Sequence, residues 1–322
     1  MPSGLICLLC LGGCTTSPQK SLAHSGYAHK LPSSVVLDDT PFFPQTDYQC
    51  GPAALATVLQ AQGIEATPGS LSPQVYLPAR KGSLQIEMIA TARRHHALPY
   101  LMDTSFSALL AEVAAGNPVL VLQNLGLNWL PVWHYAVVVG YDLDRGVLIL
   151  RSGTLRERQT SISVFKRTWK RSANWALVIV PAGIVPVTAT ISAYLKTAHA
   201  FEETGQTAQA VMAYRAATTR WPGQSEAWLM SGNMAFAGGR IDESVADFLR
   251  ATRLSPGDIR AWNNLAYALQ KQGCAAQAKT ALRCALQLAP GDRNLLDSLR
   301  DIEQPAPGKQ GKHCEMVHCP VQ

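Results

Sequence analysis

Two residues in this chain, a cysteine at a predicted helix start and a histidine at a predicted strand start, are best placed for chemistry. Cys50 is followed by Gly51 and Pro52, and Pro52 suits a first helical turn because its missing N–H would be unused there. The free N–H groups of a helix N-terminus stabilise a thiolate and lower the thiol pKa. The competing interpretation is a structural cysteine that packs like a small hydrophobic residue.

A cysteine nucleophile needs a base, and His134 is the candidate among the eight histidines. It opens an apolar stretch that predicts a core strand, whereas the others fall in tether, charged, repeated or terminal segments. An imidazole there can take the thiol proton while the sulfur attacks a carbonyl carbon. A histidine on an apolar strand can also be a satisfied core residue, so the pairing with Cys50 carries the prediction.

The elements that must position the two residues form a mixed pattern of helices and strands over residues 35–181. An alanine-rich run predicts a helix over 53–62 that buries one face and ends at Gly63. Further predicted elements are a helix over 105–115 and strands over 119–123, 134–141, 147–150 and 175–180. A cysteine on a helix followed by a histidine on a hairpin strand is the element order of papain-like enzymes, so we expect an α+β papain-like domain.

The segments around the two residues resemble the bacteriocin-processing type of cysteine peptidase, peptidase family thirty-nine. The resemblance lies in QTDYQCGPAAL at 45–55 and HYAVVVGYD at 134–142, and it covers residues 40–180. It implies thiol-dependent hydrolysis of a peptide bond by a Cys-His dyad or triad. It also implies that the Gln45 amide forms an oxyanion hole with the Cys50 N–H, whereas Gln49 is the weaker candidate.

One position departs from that family. The Asp or Asn that orients the histidine falls at the end of the return strand, where this chain reads Arg151-Ser152-Gly153. Ser152 is the candidate orienter because its hydroxyl can accept an N–H from His134, although it carries no charge. Asp142 and Asp144 lie at the hairpin turn, and at ~3.3 Å per residue Asp142 is about 26 Å along the strand, so we reject both.

A 34-residue periodicity marks the chain after the linker predicted at 182–190. Its columns include Tyr194, Trp228 and Trp262, then Gly205, Gly239 and Gly273, and then Pro222, Pro256 and Pro290. The pattern resembles three tetratricopeptide repeats over 191–290, with a capping helix that extends this all-α solenoid to residue 303. The resemblance implies a groove for a peptide or protein partner, and the alternative is a purely structural solenoid packed on the first domain.

The N-terminus resembles the export signal of a bacterial lipoprotein. In residues 1–14 an apolar run too short to span a bilayer precedes Leu11-Gly12-Gly13-Cys14, which resembles a lipobox with Cys14 as the lipidated residue. No Lys or Arg precedes the run, and the alternative is an apolar N-terminus with an incidental cysteine. Residues 15–34 are expected to form a polar tether. The expected location is the cell envelope, lipid-anchored and facing the periplasm, with the outer membrane favoured.

Cysteine count and tail composition give expectations for the C-terminus. Outside the signal five cysteines remain, an odd number that does not indicate a disulfide framework. Cys274 and Cys284 are predicted to lie on one helix ~15 Å apart, too far to bridge each other. The tail at 304–322 is rich in Pro, Gly and Lys and is expected to be disordered. Its His and Cys residues lack the spacing of zinc sites, so no metal or other cofactor is expected.

Composition and charge limit the remaining function classes. A length of 322 residues with 47% hydrophobic residues favours two domains, and the formal net charge of +6 is modest. No nucleic-acid-binding motif accompanies the short basic clusters, so we expect no nucleic-acid partner and membrane contact only through the anchor. We expect a cysteine peptidase whose repeats recruit a protein or peptide. The alternatives are a weak or inactive peptidase-like scaffold that binds peptides, and an enzyme that cleaves cell-wall peptides.

Overall fold

The computed structural model describes residues 31–45, 49–303 and 314–319. Within these ranges an antiparallel sheet flanked by helices is followed by a helical solenoid. The predicted α+β domain and the all-α region after it are therefore confirmed. No helix in the described ranges is long and apolar enough to cross a membrane.

The first domain contains the six predicted elements and also helices and strands that the sequence analysis did not predict. Its strands are β1 (Ser34–Val36), β2 (Tyr76–Leu77), β3 (Gly82–Ser83), β4 (Ala97–Leu101), β5 (Val119–Asn124), β6 (Trp133–Asp142), β7 (Val147–Ser152), β8 (Leu155–Ser161) and β9 (Ala176–Pro181). Its helices are α1 (Cys50–Ala61), α2 (Pro68–Val75), α3 (Gln85–Arg94), α4 (Phe106–Ala114) and α5 (Ile162–Lys170), with a short 3₁₀ helix at Pro78–Arg80. The helix start at Cys50 and the strand across His134 are as predicted.

The main sheet runs in the order β4-β9-β5-β6-β7-β8, and all of its neighbouring strands are antiparallel. The first half of β6 pairs with β5, so that His134 lies opposite Gln123. The last residues of β6 pair with β1, so that Asp142 lies opposite Ser34. The chain therefore enters the sheet at the end of β6 that is remote from His134.

Each face of the sheet carries its own apolar core. Helices α1, α2 and α3 cover one face, and α1 packs directly on β6. Helices α4 and α5 cover the other face. The prediction that α1 buries one side is wrong, because every residue from Gly51 to Leu59 is buried. Since α1 lies between the sheet and the two following helices, its small alanines allow close approach on all sides.

The solenoid consists of three helix pairs and a final helix, which lie where the repeats and the capping helix are predicted. The helices are α6 (Ile191–Glu203), α7 (Thr207–Arg220), α8 (Ser225–Ala237), α9 (Ile241–Leu254), α10 (Ile259–Gln272), α11 (Ala275–Leu288) and α12 (Arg293–Glu303). Within each pair the helices pack together, and α12 packs on α11. Small buried residues at Ala198, Gly232 and Ala266 permit this close approach.

The first repeat shares a core with the sheet. Tyr194, Phe201 and Tyr214 belong to the same buried cluster as residues of β4 and β9. The segment between the two regions is also fixed, because the buried Glu112 carboxylate accepts hydrogen bonds from Thr188 N at 2.7 Å and Thr188 Oγ1 at 2.6 Å. The solenoid is therefore packed against the first domain through its first repeat.

Two disulfides contradict the expectations for the C-terminal cysteines. Cys274 pairs with Cys314 and Cys284 pairs with Cys319. Cys274, at the N-cap of α11, and Cys284, within it, do not bridge each other, but each finds a partner in the tail. Residues 314–319, predicted to be disordered, are therefore bound to the last repeat. The prediction failed because spacing along one helix does not show that the chain returns over that helix after α12.

Some predictions fall outside the described residues. These are the signal peptide with Cys14, the predicted tether up to residue 30, and the tail at 304–313 and 320–322. Of the predicted tether, residues 31–34 are described, and Ser34 already begins β1.

Candidate active site

A cavity of about 930 Å³ lies at the end of the sheet where β6 begins. Gln45, Cys50 and His134 line it together, although they are far apart in the sequence. The other described lining residues are Leu122, Gly153 and the segments 80–85, 131–133, 135 and 171–173. Its volume lies within the range of small-molecule and cofactor sites.

Cys50 lies at the first residue of α1 and is the one free cysteine among the described residues. No side chain caps this helix end, so the N–H groups of Cys50 and Gly51 have no acceptor from a capping side chain. The sulfur interacts with the backbone N–H groups of Tyr135, Gly51 and Cys50 itself. The N–H of Tyr135 belongs to the residue after His134, so the sulfur and the histidine backbone lie at the same end of β6.

His134 is held by the predicted orienter. Its Nε2 lies 2.8 Å from Ser152 Oγ, and Ser152 is buried at the end of β7. With Nε2 in this hydrogen bond, Nδ1 is the ring nitrogen that remains for proton exchange. Asp142 lies at the opposite end of β6, paired with β1, which agrees with its rejection as orienter.

The amide of Gln45 has a fixed orientation. Its Oε1 accepts a hydrogen bond from Gly153 N at 3.0 Å, and its backbone N donates to Gly153 O at 2.9 Å. Its Nε2 is 3.5 Å from Tyr135 O, which leaves donor capacity for a further acceptor. Gln49, the weaker candidate, is the N-cap residue of α1 and is not among the described residues that line the cavity.

Burial dominates the electrostatics of the pair and reverses the pKa expected for the cysteine. Burial raises the pKa of the Cys50 thiol above its usual value, although backbone N–H groups from Tyr135, Gly51 and Cys50 act to lower it. Burial, and secondarily the positive charge of Arg158, lowers the pKa of His134 to about 4. The resting pair at neutral pH is therefore a thiol and a neutral imidazole. The helix-start argument omitted the desolvation of a cysteine that lies on the core of the sheet.

Sequence reasoning missed a buried arginine that supports the site. Arg151 is 2% exposed and donates hydrogen bonds to Thr40 O at 3.2 Å, Asp38 O at 3.2 Å and Arg156 O at 2.6 Å. Three consecutive residues thus hold three parts of the site. Arg151 binds the segment before Gln45, Ser152 binds His134, and Gly153 binds Gln45. The sequence offered one signal for this role of Arg151, which is its position next to Ser152 on an otherwise apolar strand.

The described residues offer no evident metal site. Among them, no group of three or more His, Cys, Asp and Glu side chains is placed to hold a metal ion.

Comparison with known families agrees with the two regions of the fold. Residues 37–177 match the Peptidase C39 like family. Residues 195–259 and 248–280 match two tetratricopeptide repeat families. The chain therefore carries a Peptidase C39-like domain followed by tetratricopeptide repeats. Among curated proteins, none matches the chain.

Solved structures resemble each region separately. A structure described as a C39-like peptidase from Bacillus anthracis is 18% identical, covers 46% of this chain and 98% of its own, and has a TM-score of 0.39. The second tetratricopeptide repeat domain of human RPAP3, solved with an HSP70 peptide, is 17% identical, covers 36% of this chain and 97% of its own, and has a TM-score of 0.34. The TPR2B domain of yeast Sti1 is 19% identical, covers 33% of this chain and 90% of its own, and has a TM-score of 0.32.

Proposed function

We propose that this protein is a cysteine peptidase in which Cys50 is the nucleophile and His134 the base. The observation that carries the proposal is the 2.8 Å contact between His134 Nε2 and Ser152 Oγ in a site shared with Cys50 and Gln45. This contact fixes the imidazole by one nitrogen and leaves the other for the thiol. A histidine that served only the core would not need to open onto a cavity beside a free cysteine.

In the first half of the reaction Cys50 Sγ attacks the carbonyl carbon of the scissile bond while its proton passes to His134 Nδ1. The carbonyl oxygen takes up negative charge, and the Cys50 N–H and Gln45 Nε2 donate to it. The C–N bond then breaks, and His134 returns the proton to the leaving amine. The products of this half are a free amine and a thioester on Cys50.

In the second half water replaces the amine. His134 takes a proton from the water, whose oxygen attacks the thioester carbon. The C–S bond breaks, the sulfur recovers a proton from His134, and a carboxylic acid leaves. Atoms and charges balance without a cofactor, and the thiol and neutral imidazole are restored.

The pKa directions decide how the nucleophile is activated. Because burial raises the pKa of Cys50 and lowers that of His134, a preformed thiolate-imidazolium pair is disfavoured at neutral pH. Proton transfer therefore accompanies attack, and His134 acts as a general base. Ser152 holds the ring but cannot stabilise the imidazolium as a carboxylate would, so we expect slower turnover than with a charged orienter.

The second candidate function is a peptide-binding scaffold without turnover. Specific observations favour it: the orienter is neutral, and Arg158 disfavours the imidazolium that forms during attack. In this case the cavity binds a peptide and the repeats bind a partner, with no bond broken.

A peptide-cleavage assay separates the two candidates. We would incubate the full chain with a mixture of unstructured peptides and identify new termini by mass spectrometry. Cleavage that disappears in Cys50→Ala and falls at least 100-fold in His134→Ala supports the peptidase. Val164→Ala, on the exposed side of α5, is a control that should cleave at the wild-type rate.

Absence of cleavage under all conditions, with peptide binding retained in Cys50→Ala, would establish the scaffold instead. A Ser152→Asp variant that gains cleavage would then show that the neutral orienter was the limiting residue. Purified cell-wall peptides belong in the same assay, since cleavage of those alone would identify that substrate class.

We further propose that the protein is a lipid-anchored envelope protein whose repeats recruit a protein or peptide partner. Two disulfides support an oxidising compartment, because such bonds are rare in the reducing cytosol. Labelling with a lipid precursor in cells tests the anchor at Cys14. Incorporation that persists in Cys14→Ala would contradict the anchor.

A pocket of the repeats is lined by Asn233 and Asn264 among others. Crosslinking from these two positions tests for the partner.

A further inference from the structure

The connection between β5 and β6 is an ordered hairpin rather than an irregular loop. Leu125 N donates to Val132 O at 2.8 Å, and Leu127 and Leu130 exchange backbone hydrogen bonds of 3.1 and 3.2 Å. We call residues 125–133 the apolar hairpin. It extends the two strands beyond the sheet at the end where His134 lies.

The apolar hairpin leaves large hydrophobic side chains in solvent. Six of its nine residues are of this kind: Leu125, Leu127, Trp129, Leu130, Val132 and Trp133. Trp129 is 78% exposed and Leu130 is 61% exposed. Single exposed apolar residues are common, but a contiguous set marks a surface that binds something.

The backbone of the apolar hairpin is fixed by polar contacts at its base. Asn124 Oδ1 accepts hydrogen bonds from Gly126 N at 3.0 Å and Val132 N at 2.9 Å. Arg171 Nη1 donates to Gly126 O at 2.6 Å. Because the backbone of the apolar hairpin is already ordered, a ligand that binds its exposed side chains loses little free energy to ordering that backbone.

The apolar hairpin is continuous with the candidate active site. Pro131, Val132 and Trp133 line the same cavity as Cys50 and His134. We propose that the apolar hairpin is the subsite for bulky apolar side chains of a peptide substrate, next to the scissile bond. The proposal rests on the peptidase function proposed above, and it assigns the substrate class as peptides with large hydrophobic residues flanking the cleaved bond.

The geometry favours a peptide over a lipid surface as the occupant. The chain enters the sheet at β1, where Ser34 lies opposite Asp142, whereas the hairpin leaves from the other end of β6. The ten residues of β6 separate these ends by about 30 Å at ~3.3 Å per residue. The hairpin therefore lies away from the point where the predicted lipid tether joins, and toward the cavity that a peptide must enter.

A binding experiment on Cys50→Ser tests the subsite without requiring turnover. The ligands are two fluorescein-labelled decapeptides on a Gly-Ser background, one with Leu-Phe-Leu at its centre and one with Ser-Ser-Ser. We expect the apolar peptide to bind at least tenfold more tightly, by fluorescence anisotropy. Adding Val132→Ser and Trp133→Ser should reduce this ratio to about two or less.

A matched control removes apolar surface elsewhere. Ile184 and Val187 are 50% and 41% exposed and lie outside the cavity, so Ile184→Ser with Val187→Ser should leave the tenfold ratio unchanged. Circular dichroism of each variant confirms that the chain is folded. A ratio that falls equally in the control would overturn the proposal.

Parallel arms separate failure of the subsite from failure of the peptidase. If wild-type protein cleaves neither these peptides nor the peptide mixture, but Cys50→Ser retains the preference that Val132 and Trp133 provide, the peptidase fails and the apolar hairpin stands as a peptide-binding site. If wild-type protein cleaves both peptides equally and binds both equally, the subsite is wrong. Sedimentation with phosphatidylcholine–phosphatidylglycerol vesicles that needs the same two residues, without any peptide preference, would replace the peptide by a lipid surface.

Discussion

In the first domain the described cysteine is a free thiol at a cavity, whereas the four described cysteines of the solenoid and its tail are in disulfides. The same type of side chain is therefore unpaired in one region and cross-linked in the other. Burial raises the pKa of the Cys50 thiol, whereas Cys274 and Cys284 are close enough to the tail to form disulfides with it. An oxidising compartment can stabilise the solenoid while the single unpaired thiol at the site has no described partner to oxidise with.

The two regions also differ in how they use buried polar groups. The first domain buries Glu112, Arg151 and Ser152, and each makes specific hydrogen bonds. The repeats also bury polar side chains, among them Ser244, Asp247 and Thr252, but their helices approach each other through columns of small residues. We infer that polar contacts set position at the site, and that packing volume sets stability in the repeats.

The largest expected effect comes from removing both disulfides with Cys314→Ser and Cys319→Ser. Cross-links that close loops of 40 and 35 residues each contribute about 4 kcal/mol by chain entropy, so the free energy of unfolding of the solenoid should fall by several kcal/mol. Urea unfolding measures this loss. Met316→Ser, at an exposed tail position, is the control, and the alkylation rate of Cys50 should stay unchanged.

If removal of the disulfides also lowers Cys50 reactivity, the two regions do not use their cysteines independently, and the comparison fails. An unchanged unfolding curve would show that the tail contributes nothing to the solenoid.

The next effect concerns the buried carboxylate that joins the regions. Glu112→Ala leaves Thr188 N, Thr188 Oγ1 and Asn117 Nδ2 without their acceptor, which should cost about 3 kcal/mol in unfolding free energy. Glu112→Gln keeps one acceptor oxygen and should cost less. Glu65→Ala, at an exposed position, should have little effect. Equal losses for Glu112→Ala and Glu65→Ala would mean that the buried contacts contribute nothing.

The third effect is a pH dependence from His134. Burial and then Arg158 lower its pKa from 6.5 to about 4, so the unfolded chain binds a proton between these values and the folded chain does not. The contribution of neutral His134 to the free energy of unfolding is fully present above pH 6.5. It is lost as the pH falls to about 4, and the loss amounts to up to about 3 kcal/mol. Urea unfolding at pH 7.0 and 4.5 should show this loss, after subtraction of the same difference for His134→Gln. Identical pH dependence of the two proteins would contradict the buried neutral imidazole.

The smallest effects come from two glycines, one in each region. A Cβ at Gly51 would lie 2.2 Å from Ser83 Oγ, and one at Gly232 would lie 2.7 Å from Phe248 Cδ1. Gly232→Ala should lower the free energy of unfolding by about 1–3 kcal/mol, because the aromatic ring must move. Gly51→Ala should chiefly lower Cys50 reactivity, because it displaces the helix start beside the nucleophile.

Second-site substitutions test whether each glycine variant acts through the contact named above. Ser83→Gly should restore Cys50 reactivity to Gly51→Ala, and Phe248→Leu should restore stability to Gly232→Ala. If each suppressor acts equally on both glycine variants, the regional distinction does not hold.

Much of the fold was predictable because its signals are local. The start of α1 at Cys50 follows from Pro52 and the alanine run, and the repeats follow from a strict 34-residue period. The pairing of His134 with Ser152 was accessible from strand order and the hairpin. These features depend on neighbours in sequence or on one antiparallel pair.

The features that were missed depend on distant parts of the chain. The disulfides need the tail to return over α11, and the hydrogen bonds of Arg151 need the segment before Gln45 to cross β7. The thiol pKa was predicted in the wrong direction because the local helix terminus was considered without the burial supplied by the sheet. The apolar hairpin follows β5 directly, yet its exposure becomes evident only in the structure, where no other element of the described ranges buries these side chains.

The most direct test of the central claim is the pH dependence of Cys50 alkylation by iodoacetamide, followed by peptide mapping. If His134 takes the thiol proton, the rate for the native protein should change little between pH 5 and 7, because the imidazole stays neutral down to about pH 4. In His134→Gln the rate should fall about tenfold per pH unit, since only the thiolate then reacts. A native rate that falls with the same slope as the variant would contradict the dyad.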